Sequence, residues 1–502
     1  MKFYFDRRLL LILLASLAIS APIWPNWKYD RQLTGRCPYI GPEQPEIDWT
    51  FDTGDTFRIR NASPVIAEDG TIYFSSPDSF VFAINPDGTQ KWCYKTQGVP
   101  YYPTLDDWGR IYVGVMGDSI WVLALDDSAT YAKLVWSWSQ INTENYWLPP
   151  LVIGPDRTVY ITTDSLRAID STGLLKWSYN RGIYCGYPPA MSPDYSNLYY
   201  ESADQYTVWL TSRDTNGILN WIRVIGPAPM ALTWGSPAIG TDSTIYLVTG
   251  DGWLYGIRPN NTDKWPPLWN LGDLIFQSVS LGLNDTLWLM NRGYRPIYRK
   301  FSPDDGSITF EDTIITTPSQ SNMYGSFIID ALGHAYIVVR DSGIVQSTLY
   351  AFNPDGTIKW SYALPGRIYR SYPAIGPNRY LYVVAGTTLY AIRDGYSVTE
   401  KVSGDKVNFD IHIYPNPFRN RLNIRFRILG QEAGNKKIVV SVYDALGRRV
   451  KSFNLESSNK DKISNVAWFG DDDLGHELPA GIYLLEFVVD GFKKTEKVVL
   501  LK

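Results

Sequence analysis

The chain has 502 residues, of which 45% are hydrophobic and 20% are charged, and its formal net charge is -4. This length is enough for two or more domains, or for one large repeat domain with a sizeable core. The slightly acidic balance argues against nucleic acid and against an anionic membrane surface as partners. An aromatic content of 15% favours β structure over a helical bundle.

The N-terminus has the pattern of a secretory signal peptide, which we predict over residues 1–20. Arg7 and Arg8 precede an uncharged apolar run, Leu9 to Ile19, that is too short to cross a bilayer. An uncleaved anchor is the alternative interpretation. No later stretch is apolar enough to span a membrane, so we expect no transmembrane segment after signal cleavage. Residues 21–44 are predicted to form an N-terminal linker.

A tryptophan recurs along the chain at a nearly constant spacing. Phe310 takes its place once, and consecutive positions lie 41 to 50 residues apart, which indicates a repeat architecture. The repeated tryptophans are Trp49, Trp92, Trp136, Trp177, Trp221, Trp265 and Trp360. Each unit holds four short apolar runs separated by turn sequences such as Pro-Asp-Gly, a pattern typical of antiparallel strands. Four strands in a unit of this length predict a β-propeller blade.

The ring is predicted to have eight blades over residues 45–396 and to be closed by its N-terminal strand. Eight strand-initiating motifs such as SPAI are out of phase with eight outer-strand motifs, because Trp49 precedes every initiating motif. Placing Glu46–Phe51 beside the last apolar run completes the eighth blade and removes exposed strand edges. A seven-bladed ring, with the 278–310 unit merged or distorted, is the alternative.

Three of the units carry a more specific pattern: Ala83–Trp92, Ala168–Trp177 and Ala351–Trp360. They resemble the tryptophan-docking repeats of the quinoprotein (pyrroloquinoline-quinone-like) propeller superfamily. The resemblance implies a fold and not a chemistry, because that superfamily includes quinone-dependent dehydrogenases as well as cofactor-free scaffolds. We interpret the seven tryptophans as structural contacts between blades, and ligand binding is the alternative.

Neither a quinone nor its Ca²⁺ ion is expected, and we predict no catalytic, cofactor-binding or metal-binding residue. The alcohol dehydrogenases of the superfamily place two adjacent cysteines against the quinone, whereas Cys37, Cys93 and Cys185 are far apart in sequence. The aspartates fall in turns, where their usual role is to hydrogen-bond the backbone. Calcium-loop and hydrolase motifs are missing from the sequence. The chain is therefore more consistent with a non-enzyme.

The C-terminal region has its own pattern, with a polar linker predicted over residues 397–410 and a small immunoglobulin-like β-sandwich over 411–502. Its motif residues include Tyr414, Pro415, Asn416, Pro417, Phe418, Gly481 and Tyr483. With Trp468 and Gly470, they make this segment similar to the C-terminal sorting domain of proteins exported by the type IX secretion system. Phe469 stands where that family usually has Asp. The resemblance implies a secretion translocon as partner; a generic fibronectin-like module is the alternative.

The segments that cross from one blade to the next carry aromatic and arginine side chains. We predict that these side chains rim a ligand-binding funnel on one face of the propeller, where they could stack sugar rings or clamp an acidic group. The candidates are Arg58, Arg60, Tyr101, Tyr102, Trp147, Tyr184, Tyr187, Trp234, Phe276, Tyr324, Arg367, Tyr369, Arg370 and Tyr372. The alternative is that the aromatics close the channel and pack between blades.

Together these features predict a secreted or surface-displayed bacterial propeller. It would bind an extracellular glycan, peptide or protein without catalysis. A secreted quinone-dependent oxidoreductase or polysaccharide-acting enzyme is the alternative function.

Overall fold

The fold is known from a computed structural model, which divides the chain into two compact units, Met1–Gly395 and Tyr396–Lys502. The structure describes residues 22–55, 63–141, 148–180, 187–227, 235–268, 278–291, 296–314, 325–340, 346–368, 371–395, 408–414, 416, 418–429, 436–444, 448–457, 463–473, 475–489 and 492–501. The predicted signal peptide and most of the predicted linker 397–410 lie outside these residues.

The first unit is an all-β propeller, as predicted. Its described residues form eight antiparallel sheets, seven with four strands and one with three, and each sheet is assembled mainly from strands adjacent in sequence. Strand β1 (Pro45–Asp52) comes first in the chain and belongs to the last sheet. We number the sheets as blades 1 to 8 in chain order.

Blades 1 to 4 share one plan, in which an inner strand, two residues long except in blade 2, is followed by three further strands. Blades 1 and 2 contain, in order, β2 (Val65–Ile66), β3 (Ile72–Ser76), β4 (Phe80–Ile84) and β5 (Gln90–Lys95), then β6 (Val99–Leu105), β7 (Ile111–Met116), β8 (Ser119–Asp127) and β9 (Ala132–Ile141). Blade 3 contains β10 (Val152–Ile153), β11 (Val159–Thr162), β12 (Leu166–Ile169) and β13 (Leu175–Tyr179). Blade 4 contains β14 (Ala190–Met191), β15 (Asn197–Ala203), β16 (Thr207–Asp214) and β17 (Leu219–Pro227).

Blades 5 to 8 depart from this plan twice: the described residues of blade 5 form three strands, and blade 8 is closed by β1. Blade 5 contains β18 (Ala238–Ile239), β19 (Ile245–Val248) and β20 (Leu254–Ile257); blade 6 contains β21 (Ser280–Leu281), β22 (Leu287–Met290), β23 (Ile297–Phe301) and β24 (Ile308–Thr313), with a short 3₁₀ helix at Leu283–Asp285; blade 7 contains β25 (Ile328–Ile329), β26 (Ala335–Arg340), β27 (Gln346–Phe352) and β28 (Ile358–Pro365); blade 8 contains β29 (Ala374–Ile375), β30 (Leu381–Ala385) and β31 (Thr388–Asp394), together with β1.

The outer strand predicted around Trp265 is replaced by two isolated bridges, Ile257 with Asp263 and Leu254 with Leu268. Pro266 and Pro267 lie between these bridges. Proline has no backbone N–H to donate to a ladder, so a regular strand cannot run through this pair.

The ring closes as predicted, because β1 pairs with β31 in antiparallel register from Pro45–Asp394 to Asp52–Thr388. A bulge between Ile47 and Trp49 shifts the register by one residue. This pairing covers the edge of β31 that an open ring would leave exposed.

Each repeated tryptophan contacts the next blade. The indole N–H donates a hydrogen bond to a group in that blade's turn before the outer strand, or to its equivalent. The acceptors are the carbonyls of Pro86 for Trp49 (3.1 Å), Ser171 for Trp136 (2.9 Å), Thr215 for Trp177 (3.1 Å), Pro259 for Trp221 (2.7 Å), Pro303 for Trp265 (3.3 Å) and Pro42 for Trp360 (3.0 Å), and the Asp127 carboxylate for Trp92 (3.0 Å). These contacts join neighbouring blades around the outside of the ring.

The glycine of the turn is required by the same contact. Gly217 has a φ of +87°, and a Cβ atom there would lie 2.8 Å from the Trp177 ring. Glycine alone accepts this backbone conformation without strain and leaves room for the indole. The recurrence of glycine close before the tryptophan in the sequence thus reflects a docking contact as well as a turn.

Residues 22–41, which we call the channel segment, fill the middle of the ring. Backbone N–H groups of six inner strands donate to carbonyls of this segment. The pairs are Ile66 to Trp24 (2.9 Å), Leu105 to Pro25 (2.7 Å), Met191 to Arg31 (2.8 Å), Ile239 to Gln32 (3.0 Å), Leu281 to Thr34 (2.9 Å) and Ile329 to Gly35 (2.7 Å). The prediction of a linker at 21–44 is therefore corrected, because Trp24 and Trp27 are at most 1% exposed.

The second unit consists of two antiparallel sheets that share one core. One sheet has the order β32 (Asn408–Tyr414), β33 (Leu422–Leu429), β36 (Ile463–Trp468), and the other has the order β35 (Arg449–Ser457), β34 (Lys436–Tyr443), β37 (Gly481–Val489), β38 (Phe492–Leu500). Side chains of both sheets meet in a single cluster, which includes Ile424, Trp468, Val442 and Phe487. The first strand starts at Asn408, inside the predicted linker.

Candidate functional site

Most residues of the predicted ligand-binding funnel lie outside the part of the chain that the structure describes. Arg58, Arg60, Trp147, Tyr184, Trp234, Phe276, Tyr324, Tyr369 and Arg370 lie outside the described residues. The funnel therefore remains a prediction for these nine positions.

The four aromatic funnel candidates that are described are buried. Tyr101, Tyr102, Tyr187 and Tyr372 are 7%, 2%, 9% and 7% exposed. The Tyr372 ring meets the Trp27 ring of the channel segment edge-on at 4.7 Å. These four side chains are buried, and the Tyr372–Trp27 contact fits the alternative interpretation, in which the aromatics close the channel. Arg367 is half-buried, and its carbonyl accepts a hydrogen bond from the Gly386 N–H at 2.9 Å.

The channel itself contains two ionisable groups, a fully buried lysine and a half-buried aspartate. The Lys28 ammonium is fully buried and donates to the Val279 carbonyl of blade 6 at 2.6 Å. Burial lowers the pKa of Lys28 to about 7, an effect that the nearby Asp30 carboxylate partly opposes. Burial also raises the pKa of Asp30, which accepts hydrogen bonds from the Thr34 backbone and hydroxyl. Both groups therefore help to hold the channel segment in place.

Two arginines attach the channel segment to the face of the propeller that carries the turns between inner and second strands. We call this the turn face; the described ends of the outer strands and starts of the inner strands lie on the opposite face because adjacent strands are antiparallel. Arg31 forms an ion pair with Asp107 at 2.8 Å and donates to the Ile153 carbonyl at 2.6 Å. Arg36 pairs with Asp285 at 3.2 Å. The segment is thus held by its side chains as well as by its backbone.

Sequence reasoning missed the channel segment, although one signal was present. Two tryptophans and a tyrosine occur within Trp24–Tyr29, which is unusual for a solvated linker. Nothing in the spacing indicated where they would pack, because this segment is not part of the repeat.

The motif residues of the second unit meet around its last strand. The Asn416 side-chain oxygen accepts a hydrogen bond from the Val499 N–H at 2.9 Å. Phe418 also bonds to the end of the chain, since its N–H donates to the Val499 carbonyl and its carbonyl accepts from the Leu501 N–H. Pro415 and Pro417 lie outside the described residues. The motif therefore fixes the C-terminal strand to the start of the domain.

The other motif residues form the core beneath this strand. The Trp468 ring lies 5.2 Å from both the Phe418 and the Tyr483 rings, and the Tyr483 hydroxyl donates to the Pro479 carbonyl at 2.7 Å. Gly470, with a φ of +74°, leaves room for Leu500. Phe469, which replaces the Asp usual in the family, is 57% exposed and leaves the core unchanged.

Comparison with known proteins identifies this unit. Residues 412–501 match the family of secretion system C-terminal sorting domains. The second unit is a type IX sorting domain. It directs export of the chain to the surface of a bacterial cell or into its surroundings, and it implies that the secretion machinery handles the chain. No curated protein matches the chain.

Solved structures support the propeller. BamB from Moraxella catarrhalis is 16% identical, with a TM-score of 0.51, and the match covers 70% of this chain and 99% of BamB. PorZ, a surface component of the type-IX secretion system of Porphyromonas gingivalis, is 12% identical with a TM-score of 0.39, covering 88% and 74%. The Dos1 propeller is 10% identical with a TM-score of 0.40, covering 71% and 98%. At these identities the likeness to BamB shows the fold alone.

The described residues contain neither a clustered metal-binding group nor a membrane-spanning helix. Within them, no group of three or more His, Cys, Asp or Glu side chains is placed to hold a metal ion. In the same part of the chain, no helix combines the length and the apolar character needed to cross a membrane.

Proposed function

We propose that the exported protein is a non-catalytic binding module whose ligand contacts the outer surfaces of the propeller. The observation that carries this proposal is the filled channel. Six inner strands donate backbone hydrogen bonds to residues 24–35. The space on the propeller axis is therefore used by the chain itself.

The filled channel favours binding over catalysis for a physical reason. Catalysis needs several groups that converge on a reacting atom in a site from which water is excluded. The axial cavity is the natural place for such a site, and here it contains Trp24, Trp27 and Leu33, none more than 1% exposed. Binding of a glycan, peptide or protein needs only exposed and well-fixed side chains on a rigid scaffold.

The test is a comparison of binding with turnover on the full-length mature protein. Glycan and peptide arrays, followed by calorimetry on each positive, should give saturable binding that is unaffected by a metal chelator. In parallel, the protein is supplied with pyrroloquinoline quinone and Ca²⁺ and assayed for dye reduction with alcohols and sugars. A third arm measures the release of reducing ends from polysaccharides.

The outcomes separate the alternatives. Binding without turnover supports the proposal. Sustained dye reduction would establish the quinone-dependent oxidoreductase, and release of reducing ends would establish the polysaccharide-acting enzyme; either result overturns the proposal. A protein that binds no array member also contradicts it.

A further inference from the structure

One group of side chains on the turn face differs from its counterparts in the other blades. Trp108 lies at the tip of the blade 2 turn and is 43% exposed. The Arg157 guanidinium of blade 3 stacks on it, 4.2 Å from the ring centroid. Arg31 of the channel segment lies 5.3 Å from the centroid of the Tyr195 ring in blade 4, which is 36% exposed. We call Arg31, Asp107, Trp108, Arg157 and Tyr195 the Trp108 patch.

The patch is a single connected surface. Arg31 joins its two sides, because the same guanidinium group pairs with Asp107 and lies against Tyr195. Asp107 is adjacent to Trp108 in sequence, and Arg157 pairs with the buried Asp106 at 3.0 Å. Asp106 also accepts the Trp108 backbone N–H at 2.9 Å. The two exposed rings are therefore held by ion pairs and backbone contacts before any ligand arrives.

The backbone at this patch is strained. The last residue of the inner turn has a positive φ, and glycine occupies that position in blade 1, blade 2 and blade 7 as Gly70, Gly109 and Gly333. Blades 3, 4, 5 and 8 instead place Arg157 (φ 65°), Tyr195 (φ 58°), Ser243 (φ 65°) and Arg379 (φ 61°) there. A large side chain in this conformation costs free energy that glycine would not. Two of these side chains, Arg157 and Tyr195, belong to the Trp108 patch.

The charges of the patch balance. Arg31 and Arg157 are each paired with a carboxylate, Asp107 and Asp106. An anionic ligand would have to compete with these ion pairs, whereas an uncharged ligand would not. Exposed aromatic rings beside Arg and Asp groups fit the apolar face and the hydroxyls of a sugar ring, since the rings provide stacking and the charged groups provide hydrogen bonds.

We propose that the Trp108 patch is a binding subsite for a neutral pyranose unit of an extracellular glycan. This deepens the binding function proposed above and rests on it. The subsite lies on the turn face and shares no residue with the funnel predicted from the sequence. Trp108 is the stacking platform, and Arg157 and Tyr195 fix and extend it.

The test uses the full-length mature protein and four soluble neutral polysaccharides, dextran, mannan, xylan and starch, as probes in calorimetry and affinity electrophoresis. Trp108→Ala should weaken binding of the retained polysaccharide at least tenfold, and Trp108→Phe should stay within about threefold of the wild type because a ring remains. The matched control is Phe469→Ala in the sorting domain. Phe469 is also exposed and lies 5.9 Å from the Arg421 guanidinium. This control should bind like the wild type.

A second variant separates binding from stability. Tyr195→Asn keeps a residue that tolerates positive φ, as Asn378 does in blade 8 with a φ of 57°, so its melting temperature should be unchanged while its affinity falls several-fold. Unchanged affinity in both Trp108→Ala and Tyr195→Asn overturns the subsite. So does a wild-type protein that binds none of the four probes. If a peptide or another ligand binds equally to all variants, the subsite fails while the binding function stands; turnover would overturn the function itself.

Discussion

The outside and the centre of the propeller are held together in different ways. At the outside, each tryptophan docks on the next blade, so that every contact joins two neighbours and is repeated around the ring. At the centre, one non-repeated segment accepts backbone hydrogen bonds from six of the eight blades. Loss of one outer contact leaves the others in place, whereas loss of the central segment affects the whole ring at once. We therefore expect that removing an outer contact destabilises two neighbouring blades, whereas removing the central segment destabilises the whole ring.

Removal of the channel segment is the strongest test of this difference. Deleting residues 22–41 would leave six inner-strand N–H groups without their acceptors and would remove two buried tryptophans. Each lost hydrogen bond costs about 1 kcal/mol and each tryptophan about 3–5 kcal/mol, so the total is comparable with the whole net stability of a typical domain. We expect no cooperative thermal transition by calorimetry. A deletion variant that still melts cooperatively would show that the ring is independent of its centre.

Lys28 gives a pH-dependent test of the centre. Its pKa falls from the model-peptide value of 10.5 in the unfolded chain to about 7 in the fold, so the unfolded chain binds more protons between these values. Stability from this group therefore increases as the pH rises from about 7 to 10 and is constant below that window. Relative to Lys28→Met, the wild type should gain about 1.4 kcal/mol per pH unit in the window.

Urea unfolding of both proteins at pH 6, 7, 8 and 9 measures this difference. Using the difference between them cancels the titration of all other groups. A constant difference across the four pH values would mean that Lys28 titrates normally in the fold.

The glycine at an outer contact should show a smaller and local effect. Gly217→Ala introduces both a positive-φ penalty and a clash with the Trp177 ring, so we expect a loss of about 2–4 kcal/mol. Gly109→Ala is the matched control, because its φ of +85° is nearly the same and no atom lies within 4 Å of the added Cβ. It should lose only about 1–2 kcal/mol. Equal losses in denaturant titrations would mean that docking contributes nothing to the requirement for glycine.

The smallest effect is expected at the indole N–H. Trp177→Phe removes the hydrogen bond to the Thr215 carbonyl and part of the ring, at a cost of about 1–2 kcal/mol. The chain already contains Phe310 at the equivalent place in blade 6, where the ring still packs on Gly356. A loss much above this range, measured by guanidinium unfolding, would contradict the local character of outer contacts.

The sequence predicts the parts of this fold that repeat. The spacing of the tryptophans located the blades, and the phase of Trp49 located the closing strand, because both depend on a pattern that occurs many times. In blade 5 the Pro266–Pro267 pair prevents a regular fourth strand among the described residues. The repeat pattern alone does not predict this exception, whereas the two prolines do.

The positions of the predicted funnel residues could not be derived from the repeat pattern. Tyr101 and Tyr372 were expected at an open rim, and both are buried, Tyr372 against Trp27. The contact partner comes from a segment with no counterpart in the repeat, so no comparison of blades could indicate it. In the sorting domain, by contrast, the motif residues are predictable because they form local patterns in the sequence, and the structure shows that Asn416 and Phe418 hydrogen-bond to the last strand.

The pairing of β1 with β31 also sets the order in which the propeller can form. Strands within a blade are neighbours in sequence and can pair early, but Pro45 must wait for Asp394. The closing step brings together the most distant parts of the propeller chain, so it has the largest entropic cost of loop closure. Until Asp394 has emerged, residues 22–52 have no complete ring to join, and Trp24 and Trp27 remain without their final packing. Folding is therefore expected to be limited by this last event, and a chain arrested before it offers apolar surface and an open strand edge for aggregation.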